Sequence, residues 1–232
     1  MHTEHGDLVL DNFVLNICQC RPSWYPDALM EKLVSEISEQ IRGGKCVIAL
    51  SGGIDSSIAA ILASEALGKN LLAIFVDHGF MRDSEEEEVE STFRAQGVNV
   101  VIAREEGRFM ARLRGVTDPE AKRCIVGEEF IRVFEGIAEE SGADYLIQGA
   151  IYPDRIESGD MKHSDKIKTH LNVAGLPSRM SSKAIVEQLA DPYKDEVRIL
   201  AAQLMMPEET IHRQPFPSPG LAESVVGEVT PE

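Results

Sequence analysis

Two adjacent glycines between an apolar run and an alanine-rich stretch constrain the fold of this chain more than any other feature. The apolar run is Cys46–Leu50, the glycines are Gly52 and Gly53, and an amphipathic helix is predicted from Ser56 to Leu67. Apolar residues without alternation predict a strand that is buried on both faces of a parallel sheet. A strand that turns through glycines into a helix gathers backbone N–H groups and the positive end of a helix dipole around one point. The sequence therefore predicts a phosphate-binding loop at residues 51–57.

The side chains of this loop also suit a polyphosphate. Ser51, Ser56 and Ser57 offer hydroxyl groups to phosphate oxygens, and Asp55 can hold a divalent cation that bridges those oxygens. The spacing excludes the Walker loop, which needs Gly-x-x-x-x-Gly-Lys followed by Ser or Thr. An ordinary glycine-rich turn is the alternative interpretation, and the restricted residue types along the loop favour phosphate binding.

Apolar runs of strand length alternate with helical periodicity along the rest of the chain. Further strands are predicted at 71–76, 98–103 and 145–147, and helices at 27–42, 84–96, 119–140 and 195–206. This alternation predicts an α/β fold with a mainly parallel, twisted sheet and right-handed crossovers. Ligands of such sheets bind beyond the carboxyl ends of the strands. The polar or glycine-containing strand ends at 51–57, 77–79 and 148–149 are expected to meet there.

Composition excludes several functional classes. The net charge of −16 over 232 residues disfavours non-specific nucleic-acid binding, which needs a basic surface. No run of eighteen apolar residues is present, so no membrane span is expected, and the first residues do not resemble a signal peptide. The four cysteines, including the pair Cys18 and Cys20, are expected to be free thiols in a reducing, cytoplasmic setting.

Several segments beyond the loop match one family in order and spacing. They are Phe-Val-Asp-His-Gly at 75–79, Asp-Pro-Glu-Ala-Lys-Arg at 118–123, Gln-Gly-Ala-Ile-Tyr-Pro-Asp at 148–154, Ile-Lys-Thr-His at 167–170, Lys-Asp-Glu-Val-Arg at 194–198 and Pro-Phe-Pro at 215–217. Together with the loop, which is similar to the pyrophosphate loop (PP-loop) of ATP pyrophosphatases, they resemble the ATP pyrophosphatase domain of GMP synthases. The resemblance implies the three-layer, adenine-nucleotide α-hydrolase-like fold of that family.

The resemblance also implies an activity. Such a domain is a ligase of purine biosynthesis that uses ATP and Mg²⁺ to adenylate xanthosine 5′-monophosphate on its C2 oxygen, releasing pyrophosphate. Ammonia, produced from glutamine by a glutaminase domain or subunit, then displaces AMP to give GMP. No nucleic-acid or membrane partner is implied, and a homodimer is expected only in a full-length protein.

The same resemblance assigns roles to individual residues. The residues implied in ATP binding are Ser51, Gly52, Gly53, Ile54, Asp55, Ser56, Ser57, Val76, Asp77, Arg123 and Gly149. The residues implied in catalysis are Asp55, which would hold Mg²⁺, Lys168 and His170. Asp154 and Glu157, again with Lys168, are implied in a lid over the acceptor substrate.

The resemblance divides the chain into three parts. Residues 1–25, predicted to be irregular, are a linker-like segment similar to the one that follows a glutaminase domain. Residues 26–213 form the ATP pyrophosphatase domain, with a lid-like loop at about 152–183. Residues 214–232 are proline-rich and are expected to be a hinge toward a dimerisation domain that the sequence lacks.

Departures from the family pattern fall on the acceptor side. They are Leu171, Gln214, Ser218 and Glu223, and Ser224 occupies the position of a common arginine. An arginine beside a substrate phosphate supplies a charge-assisted contact that serine cannot. Two alternatives therefore stay open: a nucleotide-binding relative without catalysis, and an adenylating enzyme with another acceptor, such as that of the NAD synthetases.

Overall fold

A five-stranded parallel sheet forms the centre of the computed structural model, which describes residues 3–22, 25–149, 184–186, 189, 192–213 and 220–230. The strands are β1 (Cys46–Leu50), β2 (Leu71–Asp77), β3 (Val100–Arg104), β4 (Tyr145–Ile147) and β5 (Ala184–Val186). They lie in the order β3-β2-β1-β4-β5, and every pair is parallel.

Helices connect the strands and cover both faces of the sheet. They are α1 (Gly6–Asp11), α2 (Pro26–Ile41), α3 (Ile54–Leu67), α4 (Glu85–Ala95), α5 (Glu106–Leu113), α6 (Pro119–Ser141), α7 (Lys194–Gln203) and α8 (Glu208–Ile211). A π-helical turn at Asn12–Ile17 continues α1, and 3-10 turns lie at Gly68–Asn70 and Gly220–Glu223.

The central strand contributes to two hydrophobic cores. Ile48 and Leu50 of β1 belong to the core that includes residues of α2, α3, α4 and α7. Val47 belongs to the core on the opposite face, with residues of α5 and α6. Because each residue of a strand points away from its neighbours, a strand covered on both faces must be apolar throughout. The structure confirms the predicted three-layer α/β fold with a parallel sheet.

The order of the strands determines where a ligand can bind. The chain runs from β1 to β2 and β3 on one side, and then crosses through α6 to β4 on the other side of β1. The connections after neighbouring strands β1 and β4 therefore diverge, which leaves a crevice at their carboxyl ends. The loop at 51–57 follows β1 directly and lies at this switch point.

The N-terminal part of the chain differs from the prediction. Residues 1–25 were predicted to be irregular, but Gly6–Asp11 and Asn12–Ile17 are helical. Most apolar side chains of this helix, including those of Leu8, Val9 and Phe13, are exposed. The sequence of this segment has no helical periodicity, because its apolar residues lie on all sides of the helix and not along one face. No helix in the described part of the chain has both the length and the apolar composition to cross a membrane.

The residues before α6 and α4 differ in whether they cap the helix that follows. Asp118 accepts a hydrogen bond from the Ala121 backbone N–H at 2.8 Å and caps α6. Ser84 begins the predicted helix at 84–96 and is of a residue type that caps helices, but its φ is +60° and its hydroxyl donates to the Asp83 carbonyl oxygen at 2.6 Å. A capping residue needs extended backbone geometry, which Ser84 does not have.

The described part of the predicted hinge is attached to the domain. The Leu221 N–H donates to the Phe80 carbonyl oxygen at 2.8 Å. The fully buried Lys122 ammonium donates to the Val225 carbonyl oxygen at 2.6 Å. Residues 220–230 thus extend from the end of β2 across the start of α6. The division of the chain at 26–213 stays a prediction.

The two candidate caps predict different stabilities. Replacing the capping residue, in Asp118→Ala, is expected to lower the free energy of unfolding by about 1 kcal/mol, because the first turn of α6 loses a hydrogen-bond acceptor. Ser84→Ala is the matched control and should change it by less than about 0.5 kcal/mol. Urea denaturation followed by circular dichroism measures both values, and equal losses would contradict the assignment.

Candidate active site

The predicted phosphate loop lies where β1 ends and α3 begins. Gly52 has a φ of +71°, a conformation in which any side chain would be strained. Gly53 is extended and precedes the first residue of α3, and no side chain caps this helix. The start of α3 therefore presents backbone N–H groups that a capping side chain would otherwise occupy. This is the geometry that anions use at helix N-termini.

Serine hydroxyls stabilise the shape of the loop. The Ser57 hydroxyl donates to the Gly53 carbonyl oxygen at 2.8 Å, and the Ser56 hydroxyl donates to the same oxygen at 3.1 Å. The Ser51 N–H donates to the Ser56 hydroxyl oxygen at 3.2 Å. Ser56 and Ser57 are buried, whereas Ser51 is exposed. The Ser56 and Ser57 hydroxyls thus pre-organise the loop, and the Ser51 hydroxyl is the most accessible of the three.

Asp55, in the first turn of α3, is bound to a lysine from a distant part of the chain. The Lys194 ammonium lies 2.7 Å from one carboxylate oxygen of Asp55 and 2.6 Å from the other. Both side chains are partly exposed. The pair places one positive and one negative charge directly on the phosphate loop.

Lys194 is the site residue that the sequence reasoning did not assign. It is the first residue of α7, where a cation faces the positive end of the helix dipole. A lysine at the first position of a helix is unfavourable unless a carboxylate compensates its charge. The position of Lys194 at a helix start thus indicates that it needs a carboxylate partner. Only the fold shows that this partner is Asp55.

Gly149 brings the end of β4 against the phosphate loop. A Cβ atom on Gly149 would lie 3.0 Å from Ser56 Cα and 3.1 Å from Ser56 N. Real Cβ atoms rarely approach backbone atoms this closely, so a side chain here would force the two segments apart. The end of β4 and the loop at 51–57 therefore meet, as predicted for the carboxyl edge of the sheet.

The end of β2 lies at the same edge of the sheet. Val76 is buried, and Asp77 is half-buried. The Gly79 N–H donates to an Asp77 carboxylate oxygen at 2.9 Å, which orients this side chain. The backbone of Asp77 accepts a hydrogen bond from Glu105 N–H at 2.9 Å. Both residues predicted to border a nucleotide thus have defined positions beside the switch point.

His78 is a buried imidazole next to these residues. Its ring lies 5.6 Å from the rings of Phe80 and Phe109, and its Nδ1 accepts a hydrogen bond from the Phe80 N–H at 3.1 Å. Burial lowers the pKa of His78 to about 4, although the negative charge of Asp77 acts in the opposite direction. The imidazole is therefore neutral at pH 7 and supports the end of β2 by packing.

Arg123 lies near the start of α6, on the other side of the sheet from α3. Its guanidinium Nε is 3.0 Å from a Glu120 carboxylate oxygen, and a second nitrogen is 2.5 Å from the other oxygen. This hydrogen bond raises the pKa of Arg123, and the nearby carboxylate of Glu223 contributes in the same direction. Glu223 belongs to the 3-10 turn at Gly220–Glu223, whose Ala222 is fully buried in the core that includes α6.

Other predicted site residues lie outside the described part of the chain. These are Asp154, Glu157, Lys168 and His170, together with the acceptor-side positions Leu171, Gln214 and Ser218. Within the described ranges, no three His, Cys, Asp or Glu residues are placed to hold a metal ion together.

Comparisons with known proteins agree with this geometry. The sequence model of a family described as NAD synthase matches residues 27–103. The GMP synthase (glutamine-hydrolyzing) of Thermotoga maritima is 50% identical over 233 residues, which cover 100% of this chain and 46% of the relative. The chain thus spans about half the length of the curated relatives it matches.

Solved structures show the same fold at low sequence identity. The NMN synthetase from Francisella tularensis has a TM-score of 0.64 and 16% identity, covering 85% of this chain and 78% of that chain. The glutamine-dependent NAD+ synthetase from Acinetobacter baumannii, in complex with ADP, has a TM-score of 0.61 and 17% identity, covering 85% of this chain and 38% of that chain. The chain therefore has the same α/β fold as these synthetases.

The close approach at Gly149 predicts a specific loss of stability. Gly149→Ala is expected to lower the free energy of unfolding by about 1–3 kcal/mol, because the new methyl group overlaps the backbone at Ser56. Gly136→Ala is the matched control: it lies within α6 with open space around it, and should stabilise by about 0.5–1 kcal/mol. Urea denaturation tests both, and a neutral Gly149→Ala would contradict the described contact.

The buried imidazole predicts a pH dependence of stability. Below the usual His pKa of 6.5 the unfolded chain binds a proton at His78, whereas the folded chain does not until about pH 4. Stability should therefore fall by up to about 1.4 kcal/mol per pH unit as the pH drops from about 6.5 to 4. His78→Gln should remove this part of the slope. Identical slopes in wild type and variant, from urea denaturation between pH 7 and 4.5, would show that His78 is not buried as a neutral group.

Proposed function

We propose that this chain is the ATP pyrophosphatase domain of a GMP synthase. It uses Mg-ATP to adenylate xanthosine 5′-monophosphate on the C2 oxygen, with release of pyrophosphate, and ammonia then displaces AMP to give GMP. The observation that carries the proposal is 50% identity to GMP synthases along the whole chain, which includes the phosphate loop at the switch point. A glutaminase domain or subunit supplies the ammonia.

The phosphate loop is proposed to bind the β- and γ-phosphates that leave as pyrophosphate. The start of α3 contributes backbone N–H donors and the positive end of its dipole. The hydrogen bonds within the loop keep its backbone in one conformation, so that little reorganisation is needed during the reaction. Local donors are essential because the net charge of −16 gives no general attraction for an anionic nucleotide.

Asp55 and Lys194 provide the charges that polyphosphate chemistry needs. Mg²⁺ typically binds one or two carboxylates together with phosphate oxygens, so the partly exposed Asp55 fits this cation. When bound, Mg²⁺ would neutralise charge that develops on the departing pyrophosphate. Lys194 is then free to contact a phosphate oxygen, because its ammonium already lies at the loop. The pair thus balances the charges at the loop until the nucleotide binds.

The remaining roles are proposed from the resemblance. Val76 and Asp77 border the adenosine, and Gly149 and Arg123 line the nucleotide pocket. Asp154, Glu157, Lys168 and His170 belong to the lid, where a lysine stabilises charge at the α-phosphate and closure protects the adenylate from water. The dimer belongs to the full-length protein, and the four free thiols fit a cytoplasmic setting.

A second candidate function is the amidation of a different adenylated acceptor. The NAD synthase model matches residues 27–103, and the structural neighbours include NMN and NAD+ synthetases. In addition, Glu223 brings a negative charge near Arg123, on the side where an anionic acceptor would bind. A carboxylate there opposes binding of a phosphate monoester.

The proposal predicts pyrophosphate exchange that depends on the acceptor. Exchange of labelled pyrophosphate into ATP should require xanthosine 5′-monophosphate. Asp55→Asn should lower the rate of this exchange by at least about a hundredfold, because it removes the proposed metal ligand. Asp27→Asn, a matched change in the first turn of α2, should leave the rate within about twofold.

Each other outcome identifies another function. Exchange only with the carboxylate substrate of NAD synthetases would support the second candidate and contradict the first. Binding of Mg-ATP without exchange in the presence of either acceptor would show a nucleotide-binding protein without catalysis. The exchange assay is run without ammonia, which would displace AMP and consume the adenylate. Because adenylation precedes amination, a missing glutaminase cannot cause a negative result.

A further inference from the structure

A buried carboxylate lies directly behind the phosphate loop. Glu85, the first residue of α4, is only 3% exposed. Its carboxylate faces Gly52 so closely that a Cβ atom on this glycine would overlap it. Gly52 is the loop residue with φ of +71°. The carboxylate therefore occupies the space that determines how far the loop can move toward α4.

Two contacts fix the Glu85 carboxylate in this position. The Arg82 N–H donates to one of its oxygens at 3.1 Å. The Arg213 guanidinium lies 3.5 Å from the other oxygen and also pairs with the exposed Glu88 carboxylate, one turn along α4. Arg213 follows α8, so its bridge connects the C-terminal part of the domain to the start of α4 beside the loop.

A small cavity adjoins these polar contacts on the same side of the loop. A cavity of about 20 Å³ is lined by Gly52, Ser57, Glu88 and Arg213, among other residues. That volume is about the size needed for one water molecule. Part of the space behind the loop is therefore not filled by side chains.

We propose that Arg213 and Glu85 are positioning residues for phosphate binding. Arg213 fixes the Glu85 carboxylate, and this carboxylate restrains Gly52. The loop at 51–57 is thereby kept in its binding conformation. Arg213 also neutralises a buried negative charge that would otherwise repel the polyphosphate. The inference rests on the proposed function only for the identity of the ligand. It adds two residues to the site that neither contact the ligand nor belong to the loop.

Amide hydrogen exchange of the loop tests the structural part of the inference without any ligand. Arg213→Gln should raise the exchange rates at residues 51–57 by at least about tenfold, because the loop samples more open conformations. The matched control is Arg94→Gln on α4. It removes an exposed arginine whose guanidinium lies 2.5 Å from the Glu90 carboxylate of the same helix. It should leave loop exchange unchanged. Equal exchange in wild type and Arg213→Gln would overturn the proposal.

Nucleotide binding tests the functional part through a double-mutant cycle. By titration calorimetry with Mg-ATP, Arg213→Gln should weaken binding by at least about tenfold, since order and charge balance at the loop are both lost. In a Glu85→Gln background, which keeps the shape of the side chain, Arg213→Gln should weaken binding by no more than about twofold. An equal loss in both backgrounds would show that Arg213 acts independently of Glu85 and would overturn the inference.

The two proposals can fail separately. If the wild-type chain does not bind Mg-ATP, the proposed function is wrong, and loop exchange alone decides whether Arg213 and Glu85 position the loop. Circular dichroism and urea denaturation identify any variant that does not fold. If Arg213→Gln does not fold, Arg213→Lys takes its place. Lysine keeps the charge but bridges two carboxylates less well than arginine, so loop exchange and Mg-ATP binding should both change by an intermediate amount.

Discussion

The burial of β1 on both faces, with a parallel neighbour on each edge, is the constraint on which the rest of this structure depends. Each of its residues contributes to one of two cores or to pairing with β2 and β4. Pairing with β2 continues through Leu50, the last residue of the strand. The turn that follows is accordingly fixed in space, and α3 begins where its N-terminus faces the crevice of the sheet.

Charge at the site is organised in pairs rather than in a single basic patch. Asp55 is paired with Lys194, and Glu85 with Arg213, so that both of these carboxylates have a cation from the C-terminal part of the domain. This arrangement suits a protein with a net charge of −16, because exposed cations alone would be outnumbered by surrounding acids. It also makes the site depend on contacts between segments more than a hundred residues apart.

The proposed nucleotide site is built from several segments at one edge of the sheet. The loop, Gly149 and the end of β2 lie together there. Arg123 lies on α6, and Glu223 adds a negative charge near it. The predicted lid lies outside the described residues. The proposal of ATP as a substrate thus follows from this geometry and from the comparisons, and the proposal of the acceptor follows from the comparisons.

Local residue types were sufficient to predict four of the five described strands, the five longest helices, the position of the loop at 51–57 and the α/β class, because burial and backbone geometry leave short periodic patterns. The short strand β5 and the helices α5 and α8 were not predicted. The sequence did not reveal the N-terminal helix, whose apolar residues surround it, nor that Ser84 cannot cap α4. Tertiary structure alone identified Lys194 as the partner of Asp55, and Arg213 and Glu85 as the support of Gly52. Such pairs have no sequence period, since the distance between their members is determined by how helices pack around the sheet.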